Sequence, residues 1–97
     1  MQKEEYKFYK DYYLGYNSKD LLSDEEQLII NKFDYYLNAK IPTKEFIDEA
    51  QKCGGLEVVL ANPALIKFFA DQYNVEQDLI RIKLKYIIKN LEQKKTR

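Results

Sequence analysis

The sequence predicts an all-α fold, a compact bundle of four or five helices with short connections, and three observations lead there. The 97 residues include only three glycines and two prolines beside 45% hydrophobic and 33% charged residues, a balance typical of helix-rich globular chains and unlike disordered or turn-dense β proteins. Apolar residues recur three and four apart in segment after segment. The punctuation between segments is of the helical kind: a serine capping box, an Asn-Pro start and a Gly-Gly stop. A chain of this length holds one domain, 1–97.

The first helix is expected within residues 1–20. Tyr6, Tyr9, Tyr13 and Tyr16 share one helical face, thickened by Phe8 and Tyr12, before Gly15 and Asn17-Ser18 break the pattern. Such a face serves equally as a core stripe or as a protein interface, because tyrosine rings bury well while their hydroxyls stay wet. Ser23-Asp24-Glu25-Glu26 then forms a capping box, and Leu28, Ile29, Phe33, Tyr36 and Leu37 carry a second helix to about Asn38, with Pro42 stopping any continuation. Thr43 is expected to cap a third helix over 44–53 with Phe46, Ile47 and Ala50 inward, ended by Gly54-Gly55. Leu56 to Ala61 is too short to classify by periodicity and reads as a helical turn or an extended connector.

Asn62-Pro63 opens the next helix, the asparagine as N-cap and the proline where its missing N–H costs nothing. Leu65, Ile66, Phe68, Phe69 and Tyr73 make it apolar, Asn74 closes it in a left-handed turn, and 76–93 form the last helix on the stripe Ile80, Leu84, Ile87, Ile88 and Leu91. Two helices meeting at a tight turn over 62–93, with small Ala70 at their crossing, have the pattern of a helix-turn-helix. On the second helix Arg81, Lys85 and Lys89 recur every four residues opposite the apolar stripe, with Lys83 to one side, and 94–97 form a basic tail. Glu76, Gln77 and Asp78 occupy the positions where base-reading side chains would stand, and their acids repel phosphate.

Sixteen basic and sixteen acidic residues cancel, yet they are segregated. Residues 1–50 carry seven lysines against eleven acids, and residues 51–97 carry nine basic residues against five acids. The asymmetry has two sources to choose between: an acidic partner for the basic ridge, or the preference of a helix C-terminus for cations. Histidine is absent and Cys53 is the one cysteine, which excludes a His/Cys zinc site, a Ser-His-Asp triad and a disulfide framework within one chain. The paired carboxylates sit next to one another at helix starts rather than converging, and Gly54-Gly55 lacks the lysine-serine of a phosphate loop. No enzyme activity, cofactor or metal site is expected. No apolar run has the length of a membrane span and the N-terminus lacks a secretion signal, so a cytoplasmic location without membrane association is expected.

The stretch Asn31-Lys-Phe33, Leu37, Pro42, Phe46 and then FFADQYNVEQDLIRIKLKYI resembles the helical segment that follows the metal-binding helix in ImmA/IrrE regulatory metallopeptidases. The likeness covers residues 23–88. The HExxH helix is missing, Gln27 stands at the third metal ligand, Ile30 replaces an alanine, and Phe33 to Pro42 is about two residues longer than the family spacing. The resemblance therefore implies no peptidase, but a helical segment without its catalytic core, of the kind met in phage and mobile-element regulation. The function expected is a non-enzymatic regulatory module that binds a protein or DNA through the C-terminal helical pair and the ridge Arg81, Lys83, Lys85 and Lys89. The alternative is an immunity-type or inhibitory bundle that neutralises one protein through the acidic half and Tyr6, Tyr9, Tyr13 and Tyr16. A homodimer through the same aromatic face is a further arrangement.

Overall fold

The computed structural model describes residues 3–15 and 21–95, with side chains through residue 91. Six helices follow one another: α1 (Lys3–Leu14), α2 (Asp24–Lys40), α3 (Thr43–Lys52), α4 (Leu56–Ala61), α5 (Pro63–Tyr73) and α6 (Gln77–Lys95). The all-α bundle is as expected, with one helix more. Leu56–Ala61 forms a helix of its own because Val59 is fully buried there, and packing overrides the strand preference of the paired valines. No helix among the described residues is long and apolar enough to cross a membrane.

Local signals place most boundaries. Ser23 caps α2: its Oγ accepts from the Glu26 N–H at 3.2 Å, while the Glu26 carboxylate accepts from the Ser23 N–H at 2.9 Å. Asn62 Oδ1 accepts from the Ala64 N–H at 3.0 Å ahead of α5, with Pro63 in its first turn. Asn74 closes α5 at φ 56°, the left-handed region that asparagine tolerates better than most residues, and the Val75 N–H reaches back to the Ala70 carbonyl at 3.0 Å. The start of α3 departs from expectation. Thr43 is its first helical residue, Pro42 precedes it, and no side chain caps the helix. The Thr43 hydroxyl is engaged elsewhere, by Lys83.

The core is organised around α6. α6 packs against α1, α4 and α5, and α1 also lies on α2. Tyr9 stacks on Phe33 at 5.1 Å between centroids, and Phe46 meets Phe69 edge-on at 5.3 Å. Neighbours on several sides bury not only Ile80, Leu84 and Ile87 of α6 but also Leu79, Ile82 and Lys83. Leu91, assigned to the inward stripe, is 44% exposed near the C-terminal end of α6. Leu28, also read as inward, points out of α2 at 67% exposure, and Tyr35, seven residues on, is 81% exposed on the same side.

These assignments predict a contrast within one helix. Phe33→Ala, at a fully buried site, lowers unfolding free energy by about 3–5 kcal/mol in a denaturant titration. Leu28→Ala changes it by less than about 0.5 kcal/mol.

Candidate functional site

Side chains of α1, α2, α6 and the start of α3 build a polar cluster inside an otherwise apolar body. Its centre is Lys83, which has no exposed surface. Lys83 sits one residue from Leu84 and Ile82 on the helix with most neighbours, so the side chain enters the interior whatever its charge. Its Nζ donates to Asn38 Oδ1 at 2.6 Å and to Thr43 Oγ1 at 2.8 Å, and lies 5.4 Å from the centroid of the Tyr86 ring. No carboxylate of the described residues comes within ion-pair distance of it. Burial pushes this ammonium down to about 8 from its ordinary 10.5, with the field of Asp34 pulling the other way.

Asp34 is the acidic counterpart. It accepts from the Tyr9 hydroxyl at 2.8 Å and from the Tyr13 hydroxyl at 3.0 Å. Burial raises its carboxyl above the ordinary 3.8, opposed by those two hydrogen bonds and by Lys89 and Lys83. Loss of solvent and the nearby carboxylate raise both tyrosine hydroxyls as well. Cation and anion are thus each solvated chiefly by neutral side chains, an arrangement that answers the cost of burying charge without a direct ion pair.

The residues singled out from sequence are placed as follows. Tyr9 is fully buried, and Tyr6 and Tyr13 are half-buried: Tyr6 stacks on Phe33 at 5.7 Å and donates to Glu76, and Tyr13 meets Tyr86 at 6.1 Å. The aromatic face is therefore core and seam, and Tyr9 offers nothing to a partner. Tyr16 lies outside the described residues. The basic ridge is dismantled in the same way. Lys83 is interior, Arg81 pairs with Asp78 at 3.0 Å, and Lys89 donates to the Tyr12 hydroxyl at 3.1 Å while lying 5.0 Å from that ring's centroid. Lys85 is half-buried and makes no ion pair among the described residues. The side chains of the 94–97 tail are outside the described set. At the start of α6, Lys10 lies 3.5 Å from Asp78 and 3.9 Å from Glu76, so α1 covers the end that a groove-reading helix would present.

Sequence reasoning missed Asp34, Asn38 and Tyr86 altogether. Asp34 and Asn38 stand four residues apart on the inward side of α2, each directly after a core residue, Phe33 and Leu37, and that polar pair beside a core stripe was the available signal. Clefts adjoin these elements, three of which involve α6. One, of about 370 Å³, is lined by Gly54, Gly55, Leu56, Val58, Ile88 and Leu91 among others. A second, of about 350 Å³, lies at the α5–α6 turn beside Tyr6, Tyr36, Val75 and Leu79. A third, of about 220 Å³, opens beside Thr43 and Tyr86. Cys53 is a half-buried free thiol packed against the core at the end of α3. Among the described residues no cluster of three metal-ligating side chains occurs. No family model, curated protein or solved structure matches the chain.

The cluster gives stability an alkaline signature. Between about pH 8, where folded Lys83 loses its proton, and 10.5, its ordinary value, the unfolded chain binds more protons than the folded one, so stability rises with pH. Tyr6, Tyr9 and Tyr13 act oppositely: their raised values keep protons on the folded protein that the unfolded chain sheds above about 10.0, and stability falls there. Chemical denaturation at a series of pH values is expected to show a rise from about pH 8 and a decline above about pH 10, and Lys83→Met abolishes the rise alone.

Proposed function

We propose that this protein is a non-enzymatic interaction module whose partner is a protein, bound in the groove between α4 and the C-terminal half of α6. The observation that carries this reading is a coincidence of place. Val58 is 47% exposed and Leu91 44% exposed, and both line the same groove together with Leu56, Ile88 and Glu57. Large apolar side chains held partly in water beside a concave surface are the usual mark of a docking site. Glycines at Gly54 and Gly55 leave one wall as bare backbone, so a partner's side chains approach closely there.

Protein is favoured over duplex DNA by the state of the charges. Affinity for DNA depends on cations free to replace counterions, and here Arg81 and Lys89 are engaged within the chain while Lys83 is buried. The start of α6 is occupied by Lys10 and Tyr6 of α1. The immunity-type alternative through the tyrosine face loses support for a related reason, because Tyr9 is entirely enclosed. A regulatory role of the kind implied by the ImmA/IrrE resemblance is compatible with a groove that takes up a segment of another protein.

The double variant Val58→Asp/Leu91→Asp places charge on exposed walls of the groove and is expected to keep the native circular dichroism spectrum. Affinity capture from the native cell should recover with wild-type bait a protein that this variant does not retain, and nuclease treatment should not change the result. Equal recovery by both baits, or binding of plain duplex DNA at low salt with a log–log slope of about −0.9 per phosphate, would overturn the assignment.

A further inference from the structure

We infer that the cleft between α3 and α6, lined by Thr43, Ile47, Tyr86, Ile87, Asn90 and Leu91, is a binding site for a small monocarboxylate with an aliphatic tail, with Lys83 as its positive counter-charge. The inference does not depend on the groove between α4 and α6.

The first support is the state of Lys83. Its ammonium carries three N–H donors, of which two are taken by Asn38 Oδ1 and Thr43 Oγ1. The charge is wholly enclosed, and no anion of the described chain stands at ion-pair distance. Asp34, whose field reaches it, is itself committed to Tyr9 and Tyr13. Two of the residues that touch Lys83, Thr43 and Tyr86, are also walls of the cleft. The cleft therefore lies one side chain away from a buried cation that has no ion-pair partner among the described residues.

Donors in the cleft wall are the second support. Tyr86 Oη accepts from the Asn38 amide at 3.3 Å, and its own O–H has no acceptor among the described residues. The Thr43 hydroxyl accepts from Lys83 and donates only at 3.5 Å, to Asn38 Oδ1. A hydroxyl that accepts from an ammonium is polarised and becomes the stronger donor. Asn90 adds an exposed amide. Thr43 also opens α3, whose first turn has no capping side chain, so the positive end of that helix lies at this wall of the cleft. None of the residues lining the cleft is charged, Glu45 of the first turn of α3 not being among them, and the component its donors lack is an acceptor with negative charge.

Shape selects the rest of the ligand. Ile47, Ile87 and Leu91 make the remaining wall apolar, and about 220 Å³ admits a short chain rather than a cofactor. The fitting molecule places a carboxylate against Thr43, Tyr86 and Asn90 and lays a few methylenes along the isoleucines and Leu91.

Hexanoate is the probe, with hexan-1-ol and hexylammonium as controls of equal tail length, titrated at neutral pH and followed by amide chemical shifts. Hexanoate is expected to bind saturably, with a dissociation constant on the order of 1 mM, and to perturb Thr43, Ile87 and Asn90. Hexan-1-ol should bind at least about tenfold more weakly, and hexylammonium not at all. Lys83→Met keeps the aliphatic stem and should erase the preference for hexanoate over hexan-1-ol. Asn90→Asp, at an exposed position, does not threaten folding and should weaken hexanoate by a similar factor. In wild type, bound hexanoate should raise the titration midpoint of Lys83, read by NMR of the isotopically labelled side chain. Equal binding of acid and alcohol overturns the site, as does a preference that survives both substitutions or an affinity for inorganic phosphate equal to that for hexanoate.

Discussion

The fold turns on the burial of α6 on several sides at once. A surface helix hides one stripe and leaves the rest to water, but α6 meets α1, α4 and α5, so its interior surface extends around most of its first three turns. That constraint takes Lys83 inward together with Leu79, Ile80, Ile82 and Leu84. Once an ammonium is enclosed, oxygen must be found for it. Asn38 from α2 and Thr43 from the start of α3 supply it, and the need for those oxygens ties α2, α3 and α6 into one register.

The tyrosines of α1 follow from the same demand. The rings of Tyr6 and Tyr9 cover Phe33 and the hydroxyls of Tyr9 and Tyr13 reach Asp34, so Tyr9 serves both as apolar filler and as solvent for a buried carboxylate. A phenylalanine would do the first and leave Asp34 without donors. This dual use accounts for the number of tyrosines at the N-terminal end better than an exposed recognition face would. Among the described residues, part of the segregated charge is also taken up within the chain. The acids at the start of α6 attract Lys10 of α1 and Arg81 of the next turn, and the aromatic rings of α1 hold Lys89.

With these charges engaged internally, the apolar groove beside Leu91 and the donor-rich cleft next to it stand out as surfaces with unmet needs. One exposes hydrocarbon and the other presents donors without an acceptor. They lie on either side of the stretch where α6 leaves the bundle, which is where a helix loses its neighbours on one side and still keeps its apolar pattern.

Local sequence alone determined a great deal: the capping box at Ser23, the Asn62-Pro63 start, the left-handed Asn74, and helical periods strong enough to place α2, α3, α5 and α6 within a few residues. Those features are set by hydrogen bonds and dihedral preferences spanning four or five residues, so they are written within each segment. Which way each helix faces, and how many faces it buries, depends on partners far along the chain. The period of α6 marks Ile80 and Leu84 as inward but says nothing of Lys83, because its partners, Asn38 of α2 and Thr43 of α3, lie 45 and 40 positions away in the chain. Asp34, Asn38 and Tyr86 were invisible for the same reason: a polar residue declares itself part of an interior cluster only when the residues that satisfy it, 21 to 48 positions away, are brought alongside.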